Sequence, residues 1–480
     1  MASLEEIREE RIKKLETLKE RGLNPYPAES HRTHSVAQFL KDFDDIKEAT
    51  ITGRIMNLRS FGGSIFADLE DGSGKVQAYL KKDDLGDKFN LFEENIDIGD
   101  FIEASGAPFT TKKGESSVLV SDWKILTKSL RPLPEKWHGL QDHEARFRQR
   151  YLDLLLNKEE RELFTKKALF WKETREFMEK EGFLEVETPT LEITTGGAEA
   201  RPFQTHHNDF DLDVYLRISV GELWQKRLMA AGFEKTFEIG RIYRNEGSSP
   251  EHLQEFTNME FYWAYADYEN AMELTRRLYI HLAEKVFGTT KFETRGHTFD
   301  LKDDWRKVDY VDEIEKETGL NILEATEIDL EKKLRELGVK YEGNTKERMI
   351  DSLWKHVRKE ISGPAFLINH PKLVSPLAKE NPDKPGTVER FQILLAGSEV
   401  GNGYSELNNP LEQKARFDLQ RELINAGDKE AMMPDDEFVE MLEHGMPPTC
   451  GFGFGERLFA FMVDKPVRET QLFPLMKPRD

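Results

Sequence analysis

Between residues 50 and 127 the sequence alternates apolar and polar side chains in short bursts, a period no helix can use. Ile51, Gly53 and Ile55 alternate with polar neighbours, as do Ile65, Ala67 and Leu69, then Val76, Ala78 and Leu80. A two-residue period sends successive side chains to opposite faces and so specifies strands with one buried face. Asp71-Gly72-Ser73-Gly74 is a hairpin turn between the second and third runs, and Phe101-Ile102 and Val118-Leu119-Val120 supply two more strands. Five short strands in so little chain suit a small closed barrel. Arg59, Phe61 and Phe66 fall where such a barrel can stack and pair single-stranded bases. The same positions serve equally as core and rim, and both readings stand.

The flanks follow a helical period. Residues 3–21 are dense in Glu, Lys and Arg, with Leu4, Ile7, Ile12, Leu15 and Leu18 at roughly helical spacing. Gly22 and Pro25-Tyr26-Pro27 end that helix. Its basic face is either solvated or turned to RNA. After the barrel comes a charged, proline-rich link, Arg131-Pro132-Leu133-Pro134-Glu135. The spacing predicts a long helix over 158–182, stopped by Gly182. Leu163, Phe170 and Phe177 form one apolar row, and Phe164, Trp171 and Met178 a second beside it. So wide an apolar surface is either buried in the unit or part of a subunit interface. Further strands are expected at 215–218, 236–243, 260–266, 365–368, 391–395 and 403–407, with a Gly-rich turn or strand feeding a helix at 451–464. The expected division is a helical extension (1–48), a barrel (49–130), a linker (131–150) and a large domain (151–480) carrying a helical insertion (303–362).

The 480 residues allow two to four domains, and a 38% hydrophobic share with 31 Phe fills real cores. Ninety acids against 69 Lys and Arg leave a charge of −21, which excludes a uniformly basic nucleic-acid coat but not a local binding face. The single cysteine, Cys450, excludes an internal disulfide and any cysteine-based zinc site. No stretch approaches the ~18 apolar residues of a membrane span. The expectation is a soluble, cytoplasmic protein with no membrane partner.

Four clusters carry chemistry. They are Gly196-Gly197-Ala198-Glu199-Ala200-Arg201-Pro202-Phe203, the stretch from Arg244-Asn245-Glu246-Gly247 to Glu260-Phe261-Tyr262, GSEVGNGYSE at 397–406, and GFGFGER at 451–457. In the second cluster, arginine can grip phosphate oxygens in a bidentate fork, Phe256 can cover a base, and the following acid can receive an ammonium. Each cluster alone also fits a loop, an exposed strand or a solvated hairpin.

In this order after a barrel, the four clusters resemble one family, the class II lysyl-tRNA synthetases, over nearly the whole chain. The long helix and Pro189 resemble its first motif, which builds the dimer, Phe237–Tyr262 its second, and Gly451–Arg457 its third. GGAEARPF, EFYWAYADY at 260–268, NGYSELNNP at 402–410, SPLAK at 375–379 and MPPT at 446–449 set the lysine enzymes apart from their aspartate and asparagine relatives. The resemblance implies an α+β fold: an OB-fold barrel for the anticodon, then a class II catalytic domain whose antiparallel sheet is flanked by helices. It also implies a homodimer acting on L-lysine, ATP and tRNA(Lys). Lysine and ATP would form lysyl-adenylate and pyrophosphate, and lysine would then pass to the tRNA 3′ end.

The family's roles carry over residue by residue. Arg244 and Arg457 would be the catalytic pair, on the α- and γ-phosphates. Glu246 would accept from the adenine amino group, Phe256 stack on the ring and His252 contact the triphosphate. Glu260 and Glu406 would receive the ε-ammonium with Tyr262 and Asn402, Tyr404 flank the aliphatic stem, and Glu222 and Gly197 meet the α-amino group. Magnesium would fall to Glu399, with Gln392 standing where the family has a second glutamate. A neutral amide is a weaker ligand for so hard a cation, so either fewer ions are held or water fills the gap. In the barrel, Phe66, Gln77 and Arg59 fall on or near the anticodon positions. Two further departures stand beside the site: Ser219-Val220-Gly221 is one residue longer than the family's run, and GFGFGER is one shorter, with Glu456 for the customary Asp. A catalytically silent, tRNA-binding relative would have lost Arg244 or Arg457. A ligase that modifies proteins would lack the barrel. This chain has both arginines and the barrel.

Overall fold

The computed structural model describes residues 3–134, 142–198, 200–247, 249–341, 345–425 and 431–479. Glu135 and the rest of the expected link to 141, together with Glu199 of the glycine-doublet cluster, lie outside the described residues. The chain divides into two compact units between Leu156 and Asn157.

In the first unit, strands β1 (Ala49–Phe61), β2 (Ser64–Glu70), β3 (Lys75–Lys81), β4 (Phe101–Thr110) and β5 (Ser116–Thr127) close in the order β1-β2-β3-β5-β4. The alternation decides this. Ile51, Ile55, Ile65, Ala67, Leu69, Val76, Ala78 and Leu80 all enter one core, at about 1.5–3 kcal/mol per fully buried branched side chain. The β2–β3 turn is fixed by Asp71, whose Oδ1 accepts from the backbone N–H of Ser73 (2.7 Å) and Gly74 (2.9 Å).

The leader helix, Leu4–Glu20, starts in a capping box. Ser3 Oγ accepts from Glu6 N at 3.2 Å, and the Glu6 carboxylate accepts from Ser3 N at 2.6 Å. Two of its basic residues turn inward. Arg11 donates to Ser129 Oγ (2.7 Å) and Ile98 O (3.0 Å), and Lys14 pairs with Asp97 (2.7 Å). Lys13 and Lys19 pair with Glu10 and Glu16 on the helix itself. Beneath them Lys128, fully buried, reaches Asp100 (2.7 Å), Asp97 (2.6 Å) and Asn95 O (2.6 Å).

The second unit is built on an eight-stranded sheet. Its strands are β6 (Leu184–Glu185), β7 (Lys235–Tyr243), β8 (Glu255–Ala264), β9 (Arg306–Asp309), β10 (Ala365–Pro371), β11 (Thr387–Leu395), β12 (Ser398–Ser405) and β13 (Thr449–Gly455). Their order is β9-β10-β11-β12-β13-β8-β7-β6. The five inner pairings are antiparallel and the two edge pairings, β9–β10 and β7–β6, are parallel. The helix Lys158–Lys180 buries Leu163, Phe170, Phe177 and Met178 against one face, with Trp171 packed alongside. One predicted apolar row is thus core, and the second is core only in part.

The 303–362 stretch is less separate than its charge pattern predicts. It opens with β9, which forms the sheet edge, and its helices Tyr310–Thr318, Glu327–Glu336 and Lys346–Val357 share a core with Ala365, Leu367 and Leu394 of the sheet. Three charged residues among the four from Arg306 to Asp309 hide that strand, because this edge strand buries only Val308.

Replacing Lys128 by Met would leave Asp100 buried without its cation, at a cost of about 3–5 kcal/mol. Hydrogen exchange of β4 and β5 peptides in the full-length protein should then quicken by roughly two to three orders of magnitude. Unchanged exchange would refute the role given to Lys128.

Candidate active site and nucleic-acid face

The centre of the site is β13. Its alternation sends Phe452 and Phe454 into the core beneath the sheet and leaves Gly451, Gly453 and Gly455 on the other face. Across the strand register, Gly455, Gly453 and Gly451 stand beside Asn258, Glu260 and Tyr262 of β8. On the other side Gly453 and Gly451 stand beside Asn402 and Tyr404 of β12, which in turn face Gln392 and Arg390 of β11. Side chains from both neighbours therefore lie over the glycine floor. A Cβ on Gly451 would sit 2.5 Å from Glu406 Oε1 and from Tyr262 Cε1, and one on Gly453 2.7 Å from Glu260 Cγ. Above this floor opens a cavity of about 310 Å³.

At one end of it three carboxylates converge. Glu260, Glu222 and Glu406 are buried, from β8, the first turn of the helix Glu222–Ala230, and the residue after β12. Glu260 accepts from Val220 N (2.8 Å), Asn258 Nδ2 (3.1 Å) and Tyr262 Oη (3.1 Å). The 219–221 run thus supplies a backbone donor to Glu260. The Tyr404 phenol donates to Glu222. Gly197 takes a left-handed φ of +90° and lies so close that a Cβ there would come within 2.7 Å of the Glu222 Cβ. Asn402 Oδ1 accepts from Arg390 Nε at 2.8 Å.

Lys226 is the residue the motifs do not point to. Its Nζ sits 2.8 Å from Glu222 Oε1 and 2.6 Å from Glu406 Oε2. The available signal was the i, i+4 spacing from Glu222, which puts both side chains on one helix face. Burial pushes Glu260 up to about 7, with the Glu222 charge adding to the effect. Burial likewise pushes Glu406 up to about 8, against the pull of Lys226. Burial alone would lower the Lys226 ammonium, but Glu222 and Glu406 outweigh it and hold its pKa above the usual lysine value.

The other end of the cavity suits a polyanion beside a ring. Arg244 donates through Nε and Nη2 to Ile218 O, both at 3.3 Å, and its guanidinium carbon lies 5.4 Å from the Phe256 ring centre. Glu246, His252 and Arg457 line the same wall, and Ser249 Oγ fixes His252 Nδ1 at 2.7 Å. Desolvation lowers the pKa of both arginines, which stay charged at neutral pH all the same. Glu456 beside Arg457 is structural. It accepts from Thr257 N (2.9 Å) and pairs with Lys167 (3.0 Å) and Arg241 (3.5 Å), so the longer acid ties β8 to the helix Lys158–Lys180.

Glu399 and Gln392, the positions expected to meet magnesium, both have protein partners. Among the described residues no three metal-binding side chains gather. Glu399 already accepts from Trp354 Nε1 (2.6 Å) and pairs with Arg358 (3.3 Å). Gln392 turns its oxygen to His370 Nε2 at 2.8 Å. Burial, helped by the Arg390 charge, holds His370 well below its ordinary value, so it is neutral and donates to the amide.

On the barrel, register aligns Arg59, Phe66 and Tyr79 across three strands. Phe66 is half-buried and stacks on Tyr79 (4.6 Å between centres, 1° between planes), and Tyr79 meets Phe109 at 5.5 Å. Sequence reasoning missed those last two partners, because cross-strand neighbours are fixed only once register is known. Arg59 is exposed, 3.5 Å from Asp68, and Phe61 is 68% exposed. Gln77 is buried and already bonded. It donates to Glu115 Oε2 (3.0 Å) and accepts from Ser117 Oγ (3.3 Å).

Residues 49–126 match the OB-fold nucleic acid binding domain, and residues 142–477 match the class II tRNA synthetases (D, K and N). The chain is 42% identical to the lysine–tRNA ligase of Thermotoga maritima, over 99% of this chain and 97% of that one. It is 45% identical to that of Roseiflexus sp. (strain RS-1), over 99% and 100%. The lysine–tRNA ligase of Carboxydothermus hydrogenoformans is 44% identical over 99% of both chains. Likeness of that extent runs through both units and every strand that lines the cavity, and by it the chain belongs to the class II lysyl-tRNA synthetases.

Proposed function

We propose that the glycine-floored cavity is where this lysine–tRNA ligase activates L-lysine with ATP, before transferring it to the 3′ end of tRNA(Lys). The observation that carries the reading is the convergence of Glu222, Glu260 and Glu406 at one end of a cavity whose other end presents Arg244 and Arg457. Lysine brings two ammonium groups and a carboxylate. The ε-ammonium goes to Glu260 and Glu406, with Tyr262 and Asn402 beside them, and Tyr404 flanks the stem. The α-ammonium goes to Glu222 under the Gly197 loop. The carboxylate then points toward Arg244 and attacks the α-phosphorus as a nucleophile already ionised, so no general base is needed. Negative charge grows on the phosphoryl oxygens as pyrophosphate leaves. Preorganised guanidinium groups at Arg244 and Arg457 stabilise that state more than the ground state. Phe256 stacks on adenine, Glu246 accepts from its amino group, and His252 meets the triphosphate. Catalysis is positioning and electrostatics. Enzymes of this family use ATP and typically magnesium, and here the metal belongs with the phosphates of ATP.

Phe66, with Tyr79 and Phe109 behind it, provides the stacking platform for the anticodon, and Arg59 reaches its backbone. Gln77 would have to exchange Glu115 for a base edge. A homodimer is part of the reading, supported by Leu184, Leu191 and Ile193, about half exposed or more and placed for a second copy to cover. Among the described residues no helix is long and apolar enough to cross a membrane, in keeping with work in the cytoplasm.

Pyrophosphate exchange should run with lysine and fall steeply with ornithine, arginine and aspartate. Exchange with aspartate alone, or with none, would overturn the reading. Replacing Glu406 by Gln removes one charged hydrogen bond, worth about 1.5–3 kcal/mol. The lysine KM should therefore rise roughly 10- to 150-fold, with weaker rejection of ornithine. Unchanged values for both would take Glu406 out of the lysine site. Phe66→Ala should weaken tRNA binding by about 1–3 kcal/mol while leaving exchange intact, as filter binding and exchange assays run side by side would register.

A further inference from the structure

Lys226 has no part in the reaction as described, yet it lies buried between two of the acids that line the amino-acid end, Glu222 and Glu406. It is 1% exposed, touches Glu222 and Glu406, and is surrounded by the rings of Tyr404 (5.4 Å), Tyr262 (5.9 Å) and Phe438 (5.9 Å). Taking an ammonium that far from water is costly unless its partners are charged and close. We propose that Lys226 is a positioning residue that sets the charge of the lysine site: by neutralising one of the three carboxylates it leaves two, one for each ammonium of the substrate. The inference rests on the lysine site proposed above.

The count follows from what faces these acids. Three carboxylates against one fixed ammonium leave two negative charges. Tyr262, Tyr404 and Cys450 are all pushed up by burial and stay neutral. Arg244 is answered by the substrate's own carboxylate and by phosphate. Glu192, which accepts from Trp224 Nε1 at 3.0 Å, is pushed up to about 7 by burial and adds no positive charge. With Lys226 present, the complex with lysine balances when Glu222, Glu260 and Glu406 are all ionised. Without it, three acids would face two ammonium groups. One acid would then keep its proton, and Glu406, already pushed up to about 8, is the acid that would do so. A neutral Glu406 holds the ε-ammonium less well. Lys226 thus makes the site strict for a dication.

Calorimetric titration of the full-length protein with lysine near pH 7, in two buffers of different ionisation enthalpy, counts the protons released. The empty wild-type site holds a proton on Glu406 and part of one on Glu260, and should release them on binding. Lys226→Met should release about one proton fewer, because Glu406 keeps its own. It should also bind lysine roughly tenfold or more weakly. Lys226→Arg should restore the wild-type proton count. The proposal is overturned if Lys226→Met releases the wild-type number, or if Lys226→Arg behaves like Lys226→Met. Should neither variant fold, infrared difference spectra of the wild type decide: the protonated-carboxyl band must lose intensity on binding lysine, and an unchanged band overturns the proposal. A wild-type protein that gives no heat with lysine would instead overturn the lysine site itself.

Discussion

Close approach at β13 is the constraint on which the catalytic unit depends. A strand at the centre of a sheet ordinarily fills both faces with side chains. This one fills only the lower face, with Phe452 and Phe454 locked into the main core, and leaves the upper face bare. Glu406 and Tyr262 then lie where a Cβ of residue 451 would be, and Glu260 where that of residue 453 would be. Any side chain there would push the acids apart or up into the cavity. The aromatic residues below and the glycines above are one device. The core holds the strand down firmly enough for the glycines to serve as a rigid floor.

Onto that floor the fold brings more charge than burial tolerates easily. Burial raises the pKa values of Glu260 and Glu406, and the Glu222 charge beside them adds to the effect. The structure meets this with a fixed ammonium at Lys226, phenol donors at Tyr262 and Tyr404, and the backbone N–H of Val220. What is left uncompensated has the charge of the substrate. Specificity of this kind costs stability in the empty enzyme, since buried acids with raised pKa values bind more protons folded than unfolded. Stability due to these acids therefore falls as pH rises from the unfolded carboxylate range through about 7 and 8, and lysine restores it.

Periodicity made the barrel legible, because every alternating position named from the sequence, Gly53 apart, became core. Clusters far apart in the chain made the acids and arginines legible once a family likeness tied them together. What stayed hidden depends on register or on helix phase. Tyr79 and Phe109 complete an aromatic row that exists only across strands, and Lys226 joins the acids only because a helix brings it round from Glu222. The leader helix shows the opposite case. Its basic face was open to RNA on paper, while in the fold Arg11 and Lys14 are consumed by the barrel beside it.

Glu456 and Gln392, two residues unexpected from the resemblance, are informative because each has a bonded partner. Glu456 is one methylene longer than aspartate, and the extra reach meets Lys167, Arg241 and the backbone of Thr257 together. Gln392 cannot attract a cation as a carboxylate would, but its oxygen accepts from a neutral His370 that a carboxylate in the same place would draw toward protonation. The amide and the low-pKa histidine therefore belong together. Glu399 is likewise engaged, shared between Trp354 and Arg358. In such a site the arginines carry the phosphate charge, and the geometry of the floor decides which amino acid reaches it.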